Sequence, residues 1–348
     1  MTIIEGRLVQ GLGQGAGFTQ IDWVCEQLMA QAGIDPYPGT LNLVLEDDRS
    51  LALWRNWRDQ PGQRLAAPQE SLCNARCYPA RINGSIPAAV ILPEVTGYPE
   101  DKLELVAALP LREHLSLAEG CKVSVELCRP LPVAAILFDI DGTLVDSTQA
   151  FLEVARAAAA PHGLEVTAQH VRDSLANGSN FWQDILPPDR PDYASIMKRM
   201  TTHAYQAWPG ILLEHGKVFA GTAEILTRLK RQGITLAIVS GAYSAVLDLL
   251  RASDLLEMFD AIILGGDVAK PKPDPEGIRK CLQQLGVAPG AALYVGDTPI
   301  DVQTSRAAGV YSVGVLSGAG TSANLSAQAP DRLIGTLAGL PDCVIPEK

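Results

Sequence analysis

The feature that most constrains the fold is an apolar run that ends in two carboxylates. Residues 133–138 read Val-Ala-Ala-Ile-Leu-Phe, and the sequence Asp-Ile-Asp-Gly-Thr follows from Asp139. An uninterrupted apolar run of this length is typical of a strand buried on both faces of a parallel sheet. The carboxyl end of such a strand opens into the crevice where α/β proteins bind ligands. We therefore predict that Asp139 and Asp141 converge on one open site.

Polar groups follow other apolar runs further along the chain. Residues 234–239 are a second strand-like run and lead into Ser240, whose hydroxyl suits a phosphate oxygen, as does the next backbone amide. Residues 293–295 lead into a Gly-Asp pair at Asp297. From residue 222 onward, helical patterns alternate with apolar strands. Strict alternation of this kind predicts an α/β fold with a parallel sheet and helices on both faces.

Four motifs follow one another along the chain: the run at Asp139, Ser240, the proline-flanked Lys270 and the GDxxxD that begins at Gly296. Their order resembles that of the haloacid dehalogenase superfamily of phosphohydrolases. The resemblance implies that Asp139 attacks phosphorus as a nucleophile and forms an aspartyl-phosphate. It implies that Asp141 acts as general acid and then as general base. Ser240 and Lys270 would neutralise phosphoryl charge.

The same resemblance implies a magnesium site. Asp139, the backbone carbonyl of Asp141 and Asp297 would hold Mg²⁺, and Asp301 would support that shell. Carboxylate oxygens and water are the ligands that this hard cation prefers.

Residues from 149 to about 215 are mainly helical in pattern and correspond in position to the helical cap of that superfamily, which closes over the site and excludes water. This cap region contains several aromatic residues, which could stack a flavin or fill a small helical core. The sequence favours the core for these residues, Phe181, Trp182, Tyr193, Tyr205 and Trp208.

The first part of the chain has a different pattern. A glycine loop runs through Gly11, Leu12, Gly13, Gln14, Gly15, Ala16 and Gly17. Such loops let backbone amides approach phosphates, although many bind nothing. After a Pro/Gly turn, leucines alternate at 41, 43 and 45, so Thr40 and Asn42 share the opposite face of a strand. These residues alone favour a solvated strand face over a Mg²⁺ site. Short apolar runs with one helix predict a small, mostly antiparallel β-barrel.

The glycine loop and the PYPGTLN sequence at 36–42 are similar to those of archaeal-type CTP-dependent riboflavin kinases, and the similarity covers about residues 3–127. It implies Mg²⁺ at Thr40 and Asn42, which reverses the preference stated above, and CTP as phosphoryl donor. The flavin would contact Thr96 and Glu104. The cytidine nucleotide would be held by the glycine loop together with Leu111, Arg112 and Glu113. Trp54 and Trp57 are expected to pack beneath a loop rather than stack on a ring.

Composition limits the remaining choices. The 348 residues carry a net charge of −11, which argues against a nucleic-acid partner. No stretch approaches about 18 consecutive apolar residues, so we expect no membrane partner and a cytoplasmic location. Seven cysteines without zinc-type spacing are expected to be reduced thiols. Composition leaves the oligomeric state undetermined.

We therefore predict a riboflavin-kinase-like barrel over residues 1–128, a proline-containing linker over 129–132 and a Rossmann-like hydrolase domain over 133–348. The economical hypothesis is a Mg²⁺-dependent enzyme that makes FMN from riboflavin with CTP and hydrolyses FMN. Two alternatives remain. The phosphatase could act on another small phosphate, such as a ribityl flavin precursor or phosphoglycolate, and the barrel could be a flavin- or nucleotide-binding regulatory module.

Overall fold

The computed structural model describes residues 2–11, 15–60, 62–69, 72–177, 181–242 and 244–347. The chain forms two compact units. The first comprises Met1–Leu131 and Ile334–Val344, and the second comprises Pro132–Leu333 and Ile345–Lys348. Among the described residues, no helix is both long enough and apolar enough to span a bilayer.

The first unit is a closed antiparallel barrel. Six strands pair in the order β4-β5-β6-β2-β1-β7, and the barrel closes because β7 also pairs with β4. The short strand β3 pairs with the first residues of β4, before the part that pairs with β7. The strands are β1 Thr2–Val9, β2 Leu41–Val44, β3 Gln63–Leu65, β4 Ala75–Ile82, β5 Ile86–Pro93, β6 Lys102–Val106 and β7 Lys122–Leu127. Closure pairs each of the six barrel strands with a neighbour on both sides. The predicted small antiparallel barrel is confirmed.

The barrel interior is filled by alternate side chains of each strand. On β1, Ile4 and Leu8 are fully buried, whereas Glu5 and Arg7 are exposed. Helix α3 (Asp48–Arg58) places Trp54 in this core, where its ring packs edge-on against Tyr78 with centroids 5.8 Å apart. Trp57 is also buried. Both tryptophans are therefore packing residues, as the sequence predicts.

A second helix covers the outside of the barrel. Helix α2 (Asp22–Ala32), which follows the short α1 (Gly15–Phe18), presses Val24 and Leu28 against outward-facing apolar residues of the strands. The segment Ile334–Val344 lies against the same helix, because the amide of Thr336 donates to the carbonyl of Ala30 (3.3 Å). A short helix, α4 (Leu111–His114), precedes β7.

The second unit is built on a six-stranded sheet with the order β13-β12-β9-β14-β15-β16. Strands β9, β12, β13, β14 and β15 are parallel, which confirms the predicted Rossmann-like sheet. The strands after the barrel are β8 Leu131–Val133, β9 Ala135–Phe138, β10 Val145–Asp146, β11 Lys217–Val218, β12 Thr235–Val239, β13 Ala261–Ile263, β14 Ala292–Gly296, β15 Tyr311–Val315, β16 Arg332–Ile334 and β17 Val344–Pro346.

Four helices form the expected cap between β10 and β11, which pair with each other at its base. They are α5 Thr148–Ala159, α6 Ala168–Asn177, α7 Phe181–Ile185 and α8 Tyr193–His215. The cap has its own core, mostly of aliphatic side chains from all four helices and the loops between them. The remaining helices are α9 Thr222–Arg231, α10 Ala245–Ala252, α11 Glu276–Leu285, α12 Pro299–Ala308, α13 Ser322–Ala327 and α14 Leu340–Cys343.

Candidate active sites

The first site lies at the carboxyl end of β9, the central strand of the parallel sheet. All four residues of β9 are fully buried, and the amide of Asp139 still bonds to the carbonyl of Val295 on β14 (2.9 Å). The chain then turns at Gly142, whose φ of +77° suits glycine. A side chain at Gly142 would also collide with the carboxylate of Asp297. The turn therefore brings Asp139 and Asp297 to one place.

Three carboxylates form the centre of this site. The ligand atoms of Asp139, Asp297 and Asp301 all lie within 4.8 Å of one another, and all three residues are buried. Burial raises the pKa of Asp139 and of Asp297, and the neighbouring carboxylates raise both further. Buried carboxylates this close repel one another unless cations compensate them. Cations at this cluster would therefore relieve the repulsion between its carboxylates.

Lys272 supplies one such cation. Its Nζ donates to Asp139 Oδ2 (2.9 Å), to Asp301 Oδ1 (2.7 Å) and to the hydroxyl of Tyr294 (3.2 Å). Burial disfavours the charged amine, but the carboxylates of Asp139 and Asp301 outweigh it and raise the pKa of Lys272. Lys272 therefore stays protonated beside the carboxylate that is expected to attack phosphorus.

The lysine expected from the sequence was Lys270, and here the structure corrects the expectation. The side chain of Lys270 is 74% exposed and only approaches Asp274, at 3.9 Å. Its backbone amide bonds to Glu276, which directs the side chain away from the carboxylates. The two lysines lie two residues apart in a proline-containing loop, and only Lys272 reaches the site. Tyr294 also contributes a hydroxyl there, and no motif in the sequence indicates this role.

The donor set fits a hard divalent cation. Asp139 Oδ1 and Asp141 Oδ1 are buried without a hydrogen-bond partner among the described atoms. The carboxylate of Asp297 is oriented by the amide of Ala319 (2.8 Å). Asp301 differs, because its two oxygens already accept from Lys272 and from Thr298. Asp139 and Asp297 could therefore hold Mg²⁺ together with the backbone carbonyl of Asp141, the ligand expected from the sequence, with Asp301 in a supporting position.

Two further groups surround Asp139. Ser240 is buried directly after β12, and its hydroxyl lowers the pKa of the Asp139 carboxyl without offsetting burial. Asp141 is half-buried, and burial raises its pKa to about 6 although the Ser147 side chain lowers it. A carboxyl group with a pKa near neutrality can both give and take a proton.

A cavity of about 750 Å³ lies between these residues and the cap. Its floor includes Asp139, Asp141, Ser240 and Lys272. Its cap-side wall is largely apolar and aromatic, formed by Phe151, Phe181, Trp182, Tyr205 and Trp208. The sequence predicts a place in the cap core for four of these five residues, all except Phe151. Phe181 and Trp182 do pack against that core, so each residue of this pair serves both surfaces.

The second site lies in the barrel, around the end of β1. On β2, Asn42 is opposite Val9 of β1 and Glu104 of β6. The amide nitrogen of Asn42 donates to Thr40 Oγ1 (3.1 Å), so the two expected Mg²⁺ ligands lie side by side. Neutral oxygens of this type suit a Mg²⁺ ion that keeps its waters and binds nucleotide phosphates.

Two of the segments expected to bind the nucleotide also lie at the end of β1. Gly11 approaches the side-chain amide of Asn42 so closely that a methyl group at residue 11 would collide with it. Arg112 Nη2 donates to the carbonyl of Val9 (3.0 Å), which ties α4 to the end of β1. Glu113 is exposed, whereas the side chain of Leu111 packs into the barrel core. Gly17 is exposed; Leu12, Gly13 and Gln14, and the side chain of Ala16, lie outside the described residues, as does the environment of Gly15.

The expected flavin residues differ in their surroundings. Thr96 is exposed in the loop between β5 and β6. Glu104 is partly buried and pairs with Lys102 Nζ at 2.5 Å, and this ammonium lies 5.7 Å from the centre of the Tyr98 ring. No sequence motif indicates Lys102 or Tyr98 as a residue of the flavin site. The alternation of β6 would have placed Lys102 on the same face as Glu104.

Comparisons with known proteins give the family. A model of the haloacid dehalogenase-like hydrolases matches residues 136–315. A second model, named for CTP-dependent riboflavin kinases and described as a domain of unknown function, matches residues 8–127. The chain belongs to the haloacid dehalogenase-like hydrolases and carries a CTP-dependent riboflavin kinase domain.

Individual relatives match each half. Over 224 residues the chain is 30% identical to a phosphoglycolate phosphatase of Pseudomonas putida, covering 61% of this chain and 80% of that protein. Over 127 residues it is 35% identical to a riboflavin kinase of Saccharolobus solfataricus, covering 36% of this chain and 73% of that protein. A solved haloacid dehalogenase-like hydrolase of Bacteroides fragilis superimposes with a TM-score of 0.52 at 32% identity, covering 60% of this chain and 99% of that one.

Membership of the hydrolase family agrees with the geometry at the end of β9. The chain is an enzyme, and the family generally uses Mg²⁺. The family resemblance predicted from four sequence motifs is confirmed.

Proposed function

We propose that the chain is a bifunctional flavin phosphoryl enzyme. The barrel phosphorylates riboflavin to FMN with CTP, and the hydrolase unit cleaves a phosphate monoester, FMN, through an aspartyl-phosphate on Asp139. The observation that carries the hydrolase half is the contact of Lys272 with both Asp139 and Asp301 beneath a large, mostly apolar cavity. The proximity of Gly11, Thr40 and Asn42 supports the kinase half.

In the hydrolase, a carboxylate oxygen of Asp139 forms a bond to phosphorus, and the bond from phosphorus to the leaving oxygen breaks. Asp141 gives its proton to that oxygen as the alcohol departs. Asp141 then takes a proton from water, whose oxygen attacks the aspartyl-phosphate and releases phosphate. Lys272 favours the ionised form of Asp139 and orients its carboxylate. When bound, Mg²⁺ supplies charge that stabilises the phosphoryl oxygens.

In the kinase, catalysis consists mainly of positioning and charge stabilisation. Arg112 and the glycine loop hold the nucleotide, Thr40 and Asn42 hold its Mg²⁺, and Glu104 and Thr96 contact the flavin. The family name of the model that matches residues 8–127 supports CTP as the donor.

The test follows riboflavin and FMN by chromatography in two reactions with purified full-length protein and Mg²⁺. Riboflavin is incubated with CTP, with ATP as the donor control, using the Asp139→Asn variant so that FMN is not removed. FMN alone is incubated with the Asn42→Ala variant. We expect FMN from CTP only in the first reaction and loss of FMN in the second. Hydrolysis by Asp139→Asn near the wild-type rate would refute the nucleophile assignment.

A second candidate substrate is phosphoglycolate, because the Pseudomonas putida relative carries that name. In this case FMN would survive incubation while 2-phosphoglycolate is cleaved. If FMN forms from neither donor but a generic ester is cleaved, the barrel is a flavin- or nucleotide-binding regulatory module.

A further inference from the structure

The part of the cap that lines the hydrolase cavity presents aromatic rings to that cavity. Phe151 on α5 and Trp208 on α8 form a tilted pair with ring centroids 4.5 Å apart. Both line the cavity, and both are only half-buried. Trp182 on α7 lies on the same wall. We call Phe151, Trp182 and Trp208 the aromatic wall.

Phe151 and Trp182 also pack against the cap core, whereas Trp208 faces the cavity without contributing to that core. The buried core of the cap is made of aliphatic side chains, including Leu152, Leu186 and Met200. A large ring left half-exposed over a cavity provides a flat apolar surface that a ligand ring can cover.

Charge in the cavity points to the same kind of ligand. Among the described residues that line it, the only cation is Lys272, which is already bonded to Asp139 and Asp301. The neighbouring positions 178–180 and 243 carry no charged residue in the sequence. A leaving group with its own carboxylate would enter a cavity that contains several acids and no free cation on its described wall. Desolvating that carboxylate without a partner is costly.

The cap has cationic side chains, but several of them bond elsewhere. Arg156 donates to the carbonyl of Val166, and Arg199 donates to the hydroxyl of Ser195. Neither arginine lines the cavity.

We propose that the aromatic wall binds a flat, uncharged ring system in the leaving group and makes the hydrolase select ring-bearing phosphate monoesters over small carboxylate-bearing ones. This inference rests on the proposed phosphatase function and names the part of the enzyme that chooses its substrate. The isoalloxazine of FMN belongs to this class. 2-Phosphoglycolate, whose leaving group is a short carboxylate, does not.

The test compares Trp208→Leu and Trp208→Tyr with Tyr193→Leu in the full chain. Tyr193 is a matched control because it is an aromatic residue that packs against the cap core and is not on the cavity wall. Hydrolysis of FMN, methyl phosphate and 2-phosphoglycolate is measured with Mg²⁺ and without CTP. We expect Trp208→Leu to raise KM for FMN about tenfold, with kcat and the hydrolysis of methyl phosphate little changed. Trp208→Tyr should restore most of the affinity.

Each outcome decides between the two proposals. Equal losses for FMN and methyl phosphate in Trp208→Leu, or a wild-type preference for 2-phosphoglycolate over every ring-bearing ester, would overturn the role of the wall. If the wild type leaves FMN intact but cleaves p-nitrophenyl phosphate with the same dependence on Trp208, the wall is supported and FMN is the wrong substrate.

Discussion

At the scale of single residues, two lysines of one loop have different environments. Lys272 is largely buried and bonds to two acids, whereas Lys270 is exposed beside Asp274. A charged group held in a low-dielectric site acts strongly on charge that develops beside it. The structure therefore assigns the two positions different effects on hydrolysis.

We expect Lys272→Ala to lower kcat for phosphate-ester hydrolysis by about 10²–10³-fold, because a cation beside the attacking Asp139 is lost. Lys270→Ala should remain within about twofold of the wild type. Steady-state hydrolysis of a generic phosphate ester measures both. Kinase activity of each variant serves as the folding control. A severe loss in Lys270→Ala with a mild effect in Lys272→Ala would reverse the assignment.

A second residue-scale prediction concerns the close approach of Gly11 to Asn42. Gly11→Ala places a methyl group against the amide of Asn42 and should displace this expected Mg²⁺ ligand. A shift of about 1 Å in such a ligand can lower the rate about 10²-fold. We expect CTP-dependent FMN formation to fall by that order, measured in an Asp139→Asn background. FMN hydrolysis by the single variant should be unchanged, and an undiminished kinase rate would contradict the prediction.

At the scale of elements, the barrel core contains side chains from helices as well as from strands, and Trp54 of α3 is the largest of those that are fully buried. Helix α3 begins at a side-chain cap, in which Asp47 accepts from the amide of Ser50 (2.8 Å), and it buries Trp54 completely. The helix therefore contributes to the barrel core as a strand does. The aromatic wall is a contrasting case, because α5 and α8 present their rings to a cavity.

Truncating Trp54 should weaken the barrel. We expect Trp54→Ala to lower the free energy of unfolding by about 3–5 kcal/mol, because a large buried ring is replaced by a cavity. Ile3→Ala, at a residue 48% exposed on β1, should change it by no more than about 0.5 kcal/mol. The measurement is thermal inactivation, with the kinase activity of Trp54→Ala lost at lower temperature than its phosphatase activity. Equal sensitivity of Ile3→Ala would contradict this account.

At the scale of the whole molecule, the proposed function joins two opposed phosphoryl chemistries in one chain. The kinase forms the bond that the proposed phosphatase breaks, and the net reaction is hydrolysis of CTP unless one unit is restrained. Such a pair would set the balance between riboflavin and FMN through the relative rates of its two sites.

With riboflavin, CTP and Mg²⁺ present together, we expect phosphate to accumulate well beyond the amount of flavin, because FMN is made and hydrolysed repeatedly. Asp139→Asn should stop phosphate release and let FMN accumulate to the level of the riboflavin supplied. Removal of Mg²⁺ by EDTA should stop both reactions. The measurements are a phosphate assay and chromatography of the flavins on the same samples. Phosphate that never exceeds the flavin would rule out the cycle.

The sequence by itself determined the two kinds of fold and most of the hydrolase centre. A fully apolar strand followed by Asp139 and Asp141 has few other places to lie than the middle of a parallel sheet. Motif spacing then brings Asp297 to the same edge, because the carboxyl ends of parallel strands meet there. In the barrel, the alternation of β2 placed Thr40 and Asn42 on one face.

Tertiary structure alone decided which lysine contacts the carboxylates and what the cap aromatics face. Lys270 and Lys272 lie in an irregular loop, where no periodicity relates sequence spacing to direction. An aromatic residue has the same apolar signature whether it fills a core or lines a cavity, so the role of Trp208 depends on how α5 packs against α8. The burial that raises the pKa of Asp139, and the cation that opposes it, likewise exist only once β9, β14 and the Lys272 loop are assembled.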